Sequence, residues 1–135
     1  MELKPVKIGK YEVKYPIIQG GMGLGISWDR LAGTVSKEGG LGVVSSVGTG
    51  YYQNRKFSNR DINNRPFQEI NFYSNDGLRE VIKNAHKISD GNPIAVNILY
   101  ASNNYGEMVK TACEAGAEMI ITGAGLPLTM PEFAK

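Results

Sequence analysis

The first candidate for chemistry in this 135-residue sequence is the stretch "PIIQGGMGLG", residues 16–25. An apolar run ends there in four glycines within six residues, interrupted only by Met22 and Leu24. The spacing fits neither the dinucleotide fingerprint G-x-G-x-x-G nor a P-loop, because Ile26 occupies the position of the P-loop lysine. The glycines either let the backbone approach a flat ligand, with Met22 as a polarizable surface for its ring, or form only a tight turn.

Two further segments offer polar groups at the end of an apolar run. Asn97 interrupts the run "IAVNIL", and a buried amide must be hydrogen-bonded. Its partner is either the edge of a heterocycle such as a flavin, which presents both donors and acceptors, or the neighbouring backbone. In "TGAGLP", residues 122–127, Thr122 offers a hydroxyl and two glycines follow it. Each of these segments is a weak signal when taken alone.

The remaining reactive side chains favour structural roles. His86 lies on the flank of a predicted helix, and Cys113 lies in another helix with no His or Asp patterned near it. The sequence shows no carboxylate pair, metal-ligand cluster or Ser-His-Asp set. The catalytic residues are therefore left unknown, and no metal site is expected.

Charge and composition exclude several classes of partner. The 15 basic and 13 acidic residues are interspersed, which is not typical of a nucleic-acid or membrane-surface binder. One cysteine excludes an internal disulfide and suits a reducing compartment. The polar N-terminal segment carries no apolar h-region typical of a signal peptide, and no apolar run approaches the ~18 residues of a membrane span, so neither export nor membrane insertion is indicated. We therefore expect a cytoplasmic protein whose partner is a small-molecule substrate, with no nucleic acid and no membrane.

Alternating strands and helices must position these segments. After a short β-segment in "KIGKYEV", core strands are predicted at four places: Tyr15–Gln19, Leu41–Ser46, Ile94–Leu99, and Met119 to Pro127 including its loop. Helices between them begin at predicted N-caps: Ser27, Asn75 or Asp76, and Asn104 with Glu107 as its capping-box partner. A last helix begins at Thr129. This β-α-β-α-β-α-β order predicts a parallel sheet with right-handed crossovers.

Residues 47–75 form a long polar and aromatic connection between the second strand and the second helix. Loops of this length within a compact domain are uncommon and are usually lids, binding loops or disordered segments. Four of its side chains either line a lid or pack on their own domain: Tyr51, Tyr52, Arg55 and Phe57.

The glycine-rich and Asn-containing segments all fall at or just after the carboxyl ends of successive strands, which is where a (β/α)8 barrel builds its active site. In order and spacing, "PIIQGGMG", "LAGTVSKEGGLGVVSS", "IAVNI" and "EMIITGAGLP" resemble the nitronate monooxygenase (2-nitropropane dioxygenase) family and the related FMN-dependent enoyl-acyl carrier protein reductases. The resemblance implies an FMN-binding TIM barrel. Residues 1–135 would form the N-terminal half of this single domain, roughly its first four β/α units.

The resemblance also assigns residues to the cofactor. Backbone around Gly21, Met22 and Gly23 would run beside the isoalloxazine ring of FMN, and Asn97 would hydrogen-bond it. Three further residues would line the same pocket: Thr122, Gly123 and Gly125. The implied activity is oxidation of alkyl nitronates with oxygen, and the alternative is reduction of an enoyl thioester with a nicotinamide. The catalytic histidine and the phosphate-binding glycines are expected in the second half, so this fragment should bind FMN poorly or not at all and lack turnover.

A non-enzymatic hypothesis competes with this one. The chain would then be a half-barrel that self-associates or pairs with a separately encoded second half. Sheet edges left exposed by a half-barrel favour a homo-oligomer under either hypothesis.

Overall fold

The structure is a computed structural model that describes residues 3–52 and 74–135. Its strands are β1 (Val6–Ile8), β2 (Tyr11–Val13), β3 (Gly42–Ser45), β4 (Ile94–Leu99) and β5 (Met119–Gly123). Its helices are α1 (Asp29–Lys37), α2 (Asn75–Ser89), α3 (Tyr105–Glu114) and α4 (Met130–Phe133), with a 3-10 turn at Thr49–Tyr51. None of the helices in these two described ranges has the length and apolar character needed to cross a membrane.

Strands β3, β4 and β5 form a parallel sheet in that order, as the alternation of elements predicts. The register aligns Val44 with Val96 on the face that packs against the helices, which we call the helix face. Val43 aligns with Ala95 on the opposite face, which we call the inner face. Both faces carry apolar side chains, as expected for a parallel sheet, because other elements normally pack on each face and bury it.

The hairpin of β1 and β2 closes the amino end of the inner face. Val13 is buried against Leu41, Val43 and Ala95 in one apolar cluster. The predicted short β-segment is therefore confirmed, and its packing explains why a two-stranded ribbon is stable here.

The first predicted core strand, Tyr15–Gln19, is not a regular strand among the described residues. Only Ile18 pairs with Leu41, through an isolated parallel bridge. Beyond the bridge, Gln19 pairs through its side chain: Oε1 accepts from the Val43 N–H at 3.1 Å, and Nε2 donates to the Val43 carbonyl at 3.2 Å. The Gln19 side-chain amide thus makes the two hydrogen bonds with Val43 that the main chain would make if the strand continued into the glycines.

Two predicted helix caps are wrong. Helix α1 follows Trp28 rather than Ser27, because the Ser27 hydroxyl is bonded elsewhere. Helix α2 is capped by Ser74, whose Oγ accepts from the Gly77 N–H at 3.0 Å, one residue before the predicted cap. Asn104 and Thr129 do stand at N-caps, but neither side chain makes a capping bond, so the predicted capping box with Glu107 does not form.

The two described ends of the 47–75 connection meet. The Thr49 hydroxyl accepts from the Ser74 N–H at 3.2 Å and lies 3.1 Å from the Ser74 carbonyl. Tyr51 is half-buried and packs on the core, and Tyr52 is buried there. For these two aromatic residues the structure favours packing on their own domain. The remaining predicted lid residues, Arg55 and Phe57, lie outside the described residues.

Candidate functional site

The candidate site lies at the carboxyl ends of β3 and β4, where residues 20–25, the glycine loop, cross the inner face. Gly21 lies directly on Asn97: a Cβ added at Gly21 would stand 2.6 Å from Asn97 Cβ and 2.9 Å from its Cγ. A Cβ at Gly23 would stand 3.1 Å from Val47 Cγ1. The Asn97 side chain therefore requires glycine at position 21, whereas at position 23 a Cβ would need only a small shift of Val47. The contact of Gly21 with Asn97 brings the first two predicted segments together.

Asn97 is half-buried on the inner face, in register with Ser45 and Ile121. Its Nδ2 donates to the Ile121 carbonyl at 3.4 Å, which is a long and weak hydrogen bond. Its Oδ1 has no hydrogen-bond partner within residues 3–52 and 74–135. The neighbouring backbone thus satisfies the amide only in part, and the amide keeps an acceptor and a weakly used donor for a ligand.

Ser27 fixes the conformation of the glycine loop. Its side chain is fully buried, and its Oγ accepts from the Met22 N–H at 2.9 Å and from Gln19 Nε2 at 2.6 Å. The same hydroxyl donates to the Gly20 carbonyl at 3.1 Å, while the Ser27 N–H donates to the Met22 carbonyl at 3.0 Å. Sequence reasoning missed this role, because a serine before "WDR" has the same local pattern as a helix cap.

The outer surface of the loop is apolar and exposed. Met22 is 42% exposed, Leu24 65% and Ile26 59%. Leu24 has a φ of +54°, a left-handed conformation that costs a branched side chain free energy and needs support from its surroundings. The exposure of Met22 leaves its predicted contact with a ring possible in geometry, and that contact stays a prediction.

The predicted residues after β5 do not all face the same way. The Thr122 side chain lies on the helix face, with Oγ1 2.9 Å from the Tyr105 hydroxyl and 3.7 Å from Met130 Sδ. Gly123 ends β5 on the inner face, and a Cβ added there would meet nothing within 4 Å. Gly125 has a φ of +151° and lies against the Tyr100 ring. Of the three, only Gly123 borders open space on the face that carries Asn97.

The other reactive groups lie away from this site. His86 Nε2 is 3.2 Å from the Gly116 carbonyl and 3.7 Å from the Glu118 carboxylate, before the amino end of β5. Burial raises the pKa of the half-buried Cys113 thiol, and the neighbouring Glu114 carboxylate raises it further, which disfavours a thiolate nucleophile. In the described part of the chain, no three His, Cys, Asp or Glu side chains are grouped so that they could hold a metal ion.

Comparison with known proteins gives the family. Residues 4–135 match the nitronate monooxygenase family. Among solved structures, the FabK (M276A) mutant from Thermotoga maritima is 25% identical with a TM-score of 0.66, and the match covers 91% of this chain and 34% of that chain. FabK from Thermotoga maritima is also 25% identical, with a TM-score of 0.62 and coverage of 91% and 32%. No relative is found among the curated proteins.

The present chain thus spans about a third of the length of these FabK chains. The match confirms the predicted fold class, a TIM-barrel-type α/β fold, and the described residues form an open part of it without a closed barrel. It also confirms the predicted cofactor at the level of the family, which is FMN-dependent. The chain belongs to the nitronate monooxygenase family of FMN-dependent oxidoreductases.

Proposed function

We propose that this chain supplies the first part of an FMN-dependent enzyme that oxidises alkyl nitronates with O2. The observation that carries the proposal is the contact of Gly21 with Asn97 at the carboxyl end of the sheet, with Asn97 Oδ1 left without a partner among the described residues. When bound, FMN supplies the redox chemistry, and the protein orients and shields it.

Several residues of this chain would each make a different contact with the flavin ring. The Asn97 amide would hydrogen-bond the polar edge of the isoalloxazine, and the N–H groups of Gly21 and Gly23, which have no partner among the described residues, could donate to it as well. Met22 packs against the ring, and Gly123 leaves room for it. Thr122 and Gly125 act indirectly, because their contacts with Tyr105, Met130 and Tyr100 shape the segment that follows β5.

The groups that bind the phosphate and move protons are proposed to lie outside these 135 residues. The described residues of the site offer ring contacts at the glycine loop and at Asn97, and neither the loop nor the Asn97 side chain carries a positive charge to bind a phosphate. The chain alone should therefore bind flavin weakly and show no turnover with a small-molecule substrate.

A flavin titration of the 135-residue chain tests the site. Riboflavin and FMN should bind with the same weak affinity, because the ring is held and the phosphate is not. Asn97→Ala should weaken binding about threefold to tenfold, as expected for one hydrogen bond. The exposed Asn103→Ala serves as the matched control and should bind like the unmodified chain. Tight stoichiometric FMN binding, or an Asn97→Ala variant with unchanged affinity, would contradict the proposal.

A second candidate activity is reduction of an enoyl thioester with a nicotinamide as hydride donor. The similarity to FabK favours this candidate, since that similarity extends over 91% of the present chain. The Asn97 site serves both activities equally, because both need the flavin ring held at the same strand ends. Turnover of the enzyme that contains this chain, assayed with an alkyl nitronate and with an enoyl thioester plus nicotinamide, separates the two.

We also propose that the chain self-associates through β5. Within the described residues β5 pairs only with β4, and Leu126 and Leu128 beyond it are 70% and 77% exposed. An unpaired strand edge beside apolar side chains is a template for another copy. The mass in solution, measured by light scattering, should exceed that of one chain, and a stable monomer would refute this part.

A further inference from the structure

We propose that Gln19 and Ser27 are positioning residues that fix which backbone groups of the glycine loop face the ligand and hold the Asn97 amide in place. The inference rests on the proposed function only in that the loop faces a flavin. The hydrogen-bond network itself is a property of the chain without any ligand.

The hydrogen bonds of Gln19 and Ser27 connect the glycine loop to strand β3. Gln19 bonds both polar main-chain groups of Val43, and its Nε2 also lies 2.7 Å from the Gly20 carbonyl and 2.6 Å from Ser27 Oγ. Ser27 then reaches Gly20 and Met22 on the other side. The two side chains therefore form one connection from β3 to the loop.

This network divides the polar groups of the loop into two sets. The Gly20 carbonyl and both polar main-chain groups of Met22 are bonded to Gln19 or Ser27. The Gly21 N–H and carbonyl and the Gly23 N–H have no partner among the described residues. The network thus withholds the main-chain groups of Met22 from a ligand, while those of Gly21 and Gly23 stay available to one.

Neither residue needs to touch a ligand to act in this way. Ser27 is fully buried, and Gln19 is half-buried with its amide engaged by β3. Their effect passes through Gly21, which lies in van der Waals contact with the Asn97 side chain. Removing the Ser27 hydroxyl takes away the bonds to the Met22 N–H and the Gly20 carbonyl on either side of Gly21, so we expect the loop to shift and its contact with Asn97 to change.

The test is an NMR comparison of the chain without ligand. In Ser27→Ala, exchange of the Met22 N–H should accelerate about tenfold or more, and the side-chain amide resonances of Asn97 should shift. Ser36→Ala is the matched control: Ser36 is equally buried and also bonds two main-chain groups, the Pro93 carbonyl at 2.7 Å and the Gly42 N–H at 2.8 Å, at the opposite end of β3. It should lower stability while leaving both signals unchanged.

Gln19→Glu provides a second variant if Ser27→Ala does not fold. A glutamate can still accept from the Val43 N–H but cannot donate to Gly20 or Ser27, so the same two signals should change. Unchanged Met22 exchange and unchanged Asn97 resonances in the folded variants would overturn the proposal, as would equal changes in Ser36→Ala.

A riboflavin titration of the same proteins separates this inference from the proposed function. If the unmodified chain binds riboflavin, Ser27→Ala should weaken binding about threefold or more and Ser36→Ala should not. If the unmodified chain binds no flavin while the NMR signals respond as expected, the proposed function of this half-site fails and the positioning network stands.

Discussion

Replacing Gly21 with alanine tests whether the glycine loop is packed on Asn97 as tightly as the structure shows. The added Cβ would stand 2.6 Å from Asn97 Cβ, 2.9 Å from its Cγ and 3.2 Å from its Oδ1, whereas ordinary van der Waals contact begins at 3.4 Å. The overlap is with the stem of a side chain that β4 holds, so rotation of the amide does not relieve it. Either the loop or the strand end must move.

Gly20→Ala is the matched control, because a Cβ added at Gly20 meets nothing within 4 Å and neither glycine has a positive φ. Both substitutions restrict the unfolded chain equally, which by itself stabilises a protein by about 0.4–1 kcal/mol. That contribution cancels in the difference between the two variants. The difference therefore reports the overlap, for which overpacking in a compact region predicts about 1–3 kcal/mol.

Urea unfolding of the two variants, followed by the circular dichroism of the helices, measures this difference. Gly20→Ala should be as stable as the unmodified chain or slightly more stable, and Gly21→Ala should unfold at lower urea with the same slope. Equal stability of the two variants within about 0.5 kcal/mol would show that the loop does not rest on Asn97. It would also remove the contact on which the proposed site depends.

Three further outcomes are expected. Gly42→Ala should prevent stable folding, because its Cβ would overlap the Ala32 carbonyl where α1 packs on β3; soluble yield and the far-ultraviolet spectrum check this. Thr49→Val should cost about 1–3 kcal/mol in a thermal melt, because it removes a buried hydroxyl that bonds the Ser74 main chain. Cys113 should react with a disulfide reagent at a pH midpoint above that of the unfolded chain, since burial and Glu114 raise its pKa, and Glu114→Gln should lower that midpoint; a midpoint unchanged by unfolding would contradict this.

The regular elements were predictable because their patterns are local. Strand β4 has the predicted bounds, Ile94–Leu99, since six mainly apolar residues follow a proline and a turn. The segment Tyr15–Gln19 has a similar pattern and yet forms a single bridge. The difference lies in Gln19, whose side chain competes with the main chain for Val43, and this competition depends on a partner strand that local sequence does not specify.

The candidate site was predictable in its position and less so in its details. The carboxyl ends of parallel strands meet at one edge, so the proximity of the glycine loop to Asn97 follows from the order of the elements. At Gly21 the structure adds a reason for glycine that the sequence does not indicate, because a Cβ there would overlap the Asn97 side chain. The orientation of Thr122 could have been found from the two-residue period of a strand, since Thr122 and Gly123 must face opposite sides.

The hydrogen bonds between Thr49 and Ser74 have a consequence for how this fold can change in evolution or by engineering. These bonds join the chain on either side of the long connection. They hold Thr49 and Ser74 together directly, so the distance between the two ends of the connection does not depend on its length. The entropy of closing a loop rises only with the logarithm of its length. A shorter linker, or a whole foreign domain, placed after the buried Tyr52 and before Ser74 should therefore leave the parallel sheet intact.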